Sequence, residues 1–437
     1  MSWRTRWRIT EYVRNSIWIV PGLLGVLAIV AGIILPTVDE RTGTTIGIAF
    51  SPDAARGVLG ALASGMIAFT GFVFSILLLA VQFGSSQFSP RMLRRFLRDP
   101  TTKLALGIFI ATFLYSLTVL RYVGRPDNPN FVPNSSISIA LALLIASMLA
   151  FLRLIHRTTA GLRVASVLGV LAHDARKAID KVYPDPAPAT GEQTVAELPS
   201  PSRTVLYRGG AAILQSVDAG GLVGDAERAD VVIELVPSIG DLLVEGDPLF
   251  RVHGEGGAEI EETELQHSIA VGDERTMRQD PAFAFRLLAD ISSKALSPGV
   301  NDPSSAAQAL DQIEVLLRTL GRRRLTPGVL RGPSGSERLR WPAPSWEDYV
   351  SLALDETRQY GEGSVQVSRR LMALLEHLRD SVPAYRRPAV EEKLALVEAS
   401  ARRAFSDELD RAAAVTSDPQ GIGSSRRAGD ERAAAVY

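Results

Sequence analysis

The sequence predicts an α-helical membrane protein with four transmembrane helices, followed by a cytoplasmic α+β region in which a small β module precedes a helical domain. Three observations predict it: long uncharged apolar runs confined to the first 156 residues, a lopsided distribution of charge, and short strand patterns that begin only after residue 203. Residues 1–156 hold 14 Lys plus Arg against 6 Asp plus Glu, and the remainder holds 33 against 42. A basic apolar front on an acidic polar back argues against one soluble domain, and against a nucleic-acid binder driven by overall charge. The absence of cysteine excludes disulfides, thiolate zinc sites, iron–sulfur clusters and cysteine nucleophiles.

The spans are expected at about residues 16–36, 58–83, 104–121 and 136–153, together forming a membrane domain over 1–156. Each run approaches or exceeds the roughly 20 apolar residues that a bilayer crossing needs, and Lys103 and Arg121 can snorkel from the ends of the shortest. The first run is too long for a cleaved signal segment. The leader, the segment between spans two and three and the exit from span four carry 12 basic residues, against 4 in the other two loops. By the positive-inside rule both termini are cytoplasmic, as expected for a multi-pass protein of a bacterial inner membrane, with Trp3, Trp7, Tyr12 and Trp18 near that interface.

Span two is unusual in its small residues. Gly57, Ala61 and Gly65 form one four-residue ladder, Gly60, Ser64 and Ala68 a second, and Gly71 and Ser75 continue the pattern. Such spacing lets helix backbones approach closely in lipid, either within one bundle or around a pore in a homo-oligomer. At its end Gln82, Ser85, Ser86, Gln87 and Ser89 precede Pro90 and Arg91, a polar run that suits a solvated helix end or a cytoplasmic mouth.

Residues 157–183 keep helical spacing and read as a juxtamembrane helix, 184–203 as a Pro-rich linker and 204–256 as the β module. Gly240 and Gly246, each followed by Asp, resemble the turn pair of barrel-sandwich domains, but residues 182–293 contain no Lys to carry lipoate or biotin. The helical domain is expected over 257–415. Asp280, Asp302 with Pro303, Ser345 with Asp348, Ser364 and Pro388 mark its helix starts, and 416–437 reads as a disordered tail. Between two of these helices, Ser297, Pro298, Gly299, Asn301, Asp302 and Pro303 form a break. Gly299 supplies a left-handed turn there, and a helix start offers either a structural corner or a ligand site.

No phosphate-binding loop, dinucleotide fingerprint, zincin motif or nucleophile elbow is present, so enzymatic activity is not expected. Glu259, Glu261, Glu262, Glu264 and His267 read as a solvated acidic helix, and no metal or cofactor is assigned. The Arg-rich stretch 322–340 reads as a solvated loop, with anionic lipid headgroups as its alternative partner. Three blocks resemble the bacterial predicted-membrane-protein family called domain of unknown function 2254. They are Phe74-Ser-Ile with Ser85-Ser-Gln-Phe-Ser-Pro-Arg91 and Leu106-Gly-Ile-Phe109; Glu274-Arg-Thr276 with Gln279-Asp-Pro281 and Ala295-Leu-Ser-Pro-Gly-Val-Asn-Asp-Pro303; and Asp348-Tyr349 with Arg358-Gln-Tyr-Gly361. The resemblance implies the four-span layout and brings no established activity. Together these signs lead to the expectation of an oligomeric channel or transporter-like protein for a small solute or ion. A membrane-anchored scaffold or sensor without a permeation path is the alternative.

Overall fold

A computed structural model describes residues 3–42, 48–87, 99–161, 163–189, 191, 196–325 and 328–422. The chain divides into two compact units, one of Ile9–Arg163 and one of Val164 onward to which the first eight residues also belong. Helix α1 (Trp3–Asn15) precedes four helices long and apolar enough to cross a membrane. These are α2 (Ile19–Thr42), α3 (Pro52–Gln87), α4 (Pro100–Leu120) and α5 (Asn134–Gly161).

Each of them runs beyond its expected apolar segment at one end or both. Helix α2 passes through Pro36 to Thr42, where the Thr37 and Thr42 hydroxyls bond back to carbonyls in the preceding turn. Helix α3 starts at Pro52, whose fixed φ suits a first helical turn. Helix α4 is the hub and packs against α2, α3 and α5. Its apolar window is 61% buried, whereas the other three windows are 17–28% buried and present most of their surface outward. At the hub Phe109 meets Phe69 edge-on, and Phe69 meets Phe151 in the same way.

The second unit opens with α6 (Val164–Val182). Strands β1 (Arg203–Leu206), β2 (Ala212–Val217), β3 (Val232–Leu235), β4 (Leu242–Leu243), β5 (Pro248–His253) and β6 (Ile269–Gly272) follow, with β7 (Gly328–Arg331) and β8 (Glu337–Trp341) far downstream. They form a five-stranded sheet in the order β1-β5-β3-β8-β7, parallel only between β3 and β8, and an antiparallel sheet β4-β2-β6. Leu214, Ile233, Phe250, Val252 and Leu339 fill the shared core. Helices α7 (Ala219–Arg228) and α8 (Glu262–His267) complete the β region. Gly240 and Gly246 hold positive φ at the two expected turns, and each following Asp accepts a backbone N–H three residues upstream, from Ser238 and Val244.

The β region thus recruits strands from well outside 204–256. Arg338 lies in a buried strand because Glu227 and Asp230 take its guanidinium. Arg340 likewise pairs with Glu337 and Arg323 with Asp180, so three of the six arginines of this stretch find counter-charges within the fold. Part of the expected linker is also fastened, since Ala187 N–H donates to Arg322 O and Arg324 N–H to Asp185 O.

Helices α9 (Pro281–Ala295), α10 (Pro303–Leu320), α11 (Trp346–Tyr360), α12 (Val365–Ser381), α13 (Arg387–Ala404) and α14 (Glu408–Ala414) form the helical part. Asp280, Asp302, Ser345 and Ser364 cap their helices, and both halves of the Ser345–Asp348 capping box are formed. Helix α6 belongs to this core, packing Leu168, Leu171 and Ile179 against α9 and α10. The start of the expected tail is packed as well: Asp418 is buried and its N–H donates to Arg369 O, while residues 423–437 lie outside those described.

Candidate functional site

At about 100° per residue, Gly57, Gly60, Ala61, Ser64, Gly65, Ala68, Gly71 and Ser75 fall on one face of α3. Ala55, Leu59, Leu62, Met66 and Val73 occupy the opposite face and are buried. The small-residue face is open, and a methyl group added at Gly57, Gly60, Gly65 or Gly71 would meet nothing within 4 Å. Packing inside this bundle therefore does not explain the ladders. Ser64 and Ser75 satisfy their hydroxyls on carbonyls four residues back, which keeps an outward Ser compatible with an apolar environment.

The face that is close-packed lies elsewhere. Pro21, Gly25, Ala28, Gly32 and Pro36 form the buried stripe of α2. A Cβ at Gly32 would come within 2.9 Å of Thr118 Cβ, and one at Gly107 within 2.5 Å of Leu24 Cδ1. The sequence signal for this stripe is small-residue spacing of three and four in span one, sparser than the glycine pattern of span two. One end of the bundle is tied by Asp39, which accepts the backbone N–H of Ser136 at 3.0 Å and its hydroxyl at 2.9 Å, capping α5 from another helix. Of the expected mouth, Gln82 is exposed; Ser85, Ser86 and Gln87 continue the α3 backbone; and Ser89 and Arg91 lie outside the described residues.

In the second unit the break at residues 297–303 is a tight corner. The N–H groups of Val300 and Asn301 both donate to Ser297 O, and that of Asp302 donates to Ala295 O. The left-handed residue is Asn301, at φ 47°, and not Gly299; Asn adopts this conformation more readily than other residues with a Cβ because its short polar side chain can hydrogen-bond locally and offset the clash. Asp302 accepts Ser305 N–H at 3.1 Å and the Ser305 hydroxyl at 2.5 Å, so both carboxylate oxygens are engaged within the corner. Pro298, Gly299 and Asn301 are exposed, and Pro303 opens α10.

These blocks fall within a match to the family described as "Predicted membrane protein (DUF2254)", which covers residues 14–377. The chain belongs to this family. Uncharacterized proteins of Mycobacterium tuberculosis and Mycobacterium bovis are 32% identical to it over 416 residues, spanning 92% of this chain and 80% of the relative. No solved structure gives a significant match.

The second and third of these blocks meet within the second unit, where the β region joins the helical part. Arg275 donates through Nε to Asp280 Oδ2 at 2.8 Å, the other carboxylate oxygen of Asp280 accepts Phe283 N–H, and Gly240 faces both side chains so closely that a Cβ would lie 2.6 Å from Arg275 Nε. Burial pushes the Asp280 carboxyl above the ordinary aspartate range, opposed by the adjacent Arg275. Gln279 pairs with both backbone groups of Val217, and Gln215 donates to Glu274 O. Nearby, Tyr349 shares a hydrogen bond of 3.0 Å with Tyr183, and burial together with that neighbour raises its phenol well above the usual value. The second and third blocks also touch, since a Cβ at Gly361 would approach Leu296 Cδ1 to 3.2 Å.

Sequence reasoning missed three buried ionic groups: Arg370 with Asp311 and Glu314, Arg338 with Glu227, and Arg386, which donates to Leu320 O and Gly321 O. Each joins residues at least 56 positions apart, beyond any local pattern. In the acidic stretch near α8, Glu262 is taken by Arg203 and Arg208. Among the described residues no group of three His, Asp or Glu is placed to hold a metal ion.

Proposed function

We propose that this membrane protein associates with itself through the small-residue face of α3 and that the assembly passes a small solute or ion. Both termini then lie in the cytoplasm, the second unit regulates or assembles the pore, and anionic lipids contact the basic leader. The observation that carries this reading is the open, glycine-rich face of α3, which leaves room for a second backbone that none of the described residues fills. Ser64 and Ser75 give that face hydroxyls, and Gln82 stands exposed farther along the helix. A second reading, a scaffold without a permeation path, is favoured by one feature: no charged residue lies on α3 between Arg56 and Gln82, so the usual ion-pathway signature is missing from that helix.

Purified protein reconstituted in liposomes tests both. Self-association detected by native mass spectrometry together with solute or ion flux supports the pore, and Gly65→Leu should abolish both. Self-association without flux of any solute tried supports the scaffold. A monomeric wild type overturns the role given to α3. Fusion reporters after Asp99 and near Asn128 check orientation, with cytoplasmic and external signals expected respectively.

A further inference from the structure

The last turns of α10 and α12 enclose an open cleft of about 370 Å³, lined by Arg318, Arg322, His377, Asp380 and Ser381. Its walls are braced by the buried Glu314. One oxygen of Glu314 accepts Arg318 Nη1 at 3.3 Å and lies 3.0 Å from His377 Nδ1, while the other accepts Arg370 Nη2 at 2.6 Å. Arg370 is itself buried and held by Asp311 at 2.8 Å. The charge of Glu314 is therefore matched from behind by Arg370, and the same carboxylate orients two of the groups that face the cleft.

Arg322 lies just past the end of α10, exposed and with no side-chain partner among the described residues, so its guanidinium is free to meet an anion in the cleft. His377 turns Nδ1 toward Glu314, which leaves Nε2 for the cleft. The carbonyl end of α10 would oppose an anion, but the buried Arg386 guanidinium occupies the carbonyls of Leu320 and Gly321. Asp380 is the opposing carboxylate at the rim, exposed and 3.4 Å from Arg379.

We propose that this cleft binds a phosphate monoester. Two guanidinium forks and an imidazole suit a tetrahedral oxyanion better than a single carboxylate, and the volume leaves room for a small polar carrier. The rim carboxylate of Asp380 can accept a hydrogen bond from a carrier hydroxyl or a protonated phosphate oxygen. The same chemistry is available from a soluble phosphorylated metabolite and from a phosphatidic acid headgroup. The site stands independently of whether the spans conduct anything.

The test uses the full-length protein. Inorganic phosphate and glycerol 3-phosphate are titrated calorimetrically in detergent, and phosphatidylcholine nanodiscs with and without phosphatidic acid report lipid binding. Saturable binding of at least one probe is expected, weakened roughly ten- to a hundredfold by Arg322→Gln at an unchanged melting temperature. Arg322→Lys should fall in between, and Asp380→Asn should tighten binding. Arg322-dependent binding to soluble phosphates assigns a metabolite, and Arg322-dependent binding to phosphatidic acid alone assigns a lipid. Absence of saturable binding to every probe, or wild-type affinity in Arg322→Gln, overturns the proposal. Should Arg322→Gln lower the melting temperature, Asp380→Asn decides: unchanged or weaker binding overturns the site.

Discussion

Helices α2 and α3 both carry small residues at three- and four-residue spacing, and they use them differently. In α2 the stripe from Pro21 to Pro36 is buried, with Thr118 of α4 close against Gly32; in α3 a methyl added at Gly57, Gly60, Gly65 or Gly71 meets nothing within 4 Å among the described residues. Small-residue spacing therefore marks a face that another backbone can approach, without saying whose backbone it is. In α2 the partner is α4, and in α3 it is left open.

The comparison can be broken by substitution. Gly32→Leu drives a branched side chain into Thr118 and the backbone carbonyl of Tyr115. It should cost about 1–3 kcal/mol, read as a lower melting temperature of the detergent-solubilised monomer. Gly65→Leu should leave the monomer's melting temperature unchanged. Equal losses in the two variants would erase the distinction between the faces.

Next in size, Asp39→Ala removes the acceptor of Ser136 N–H and hydroxyl and should cost roughly 0.5–2 kcal/mol, comparable to losing a cap within one element. A negligible loss would show that packing against α4 is enough to hold α5 in place. Asp302 is the counterpart that caps its own helix: Asp302→Ala should also cost about 0.5–2 kcal/mol, and Asp302→Asn only a small fraction of that, measured by denaturant unfolding. Loss of cell-based function in a fully stable Asp302→Asn protein would give the corner a role beyond capping.

The smallest effect is pH-dependent. The Asp280 carboxyl is raised by burial, so the folded state holds its proton more tightly than the unfolded chain does. Its contribution is complete below the ordinary aspartate range and is lost as pH rises through the raised value. The melting temperature of the wild type relative to Asp280→Asn should fall over that window, and a flat difference would show that Arg275 cancels the burial cost.

Much of this architecture could be read from local chemistry. Apolar run length located the four helices, and Asp280, Asp302, Ser345 and Ser364 announced their helices because an N-cap is decided within four residues. Gly240 and Gly246 were legible as turns for the same reason. What escaped depends on distant partners. Arg338 looked solvent-bound until Glu227 supplied its counter-charge, and the hairpin β7–β8 stayed hidden among arginines. At the corner the wrong residue was assigned the left-handed turn, because Gly permits that conformation and Asn301 merely tolerates it. The cleft beside Arg322 was invisible because Glu314 and His377 are 63 positions apart.

The hydroxyl pair Tyr183–Tyr349 has a practical consequence for where the chain can be cut. It fastens the end of α6 to α11, and the residues just after it are stitched to Arg322 and Arg324. A fragment begun at residue 184, where composition suggests a tether, would strip away Leu168, Leu171 and Ile179, each worth about 1.5–3 kcal/mol of burial, and leave a greasy trough along α9 and α10. Begun at Val164, the fragment keeps its own wedge.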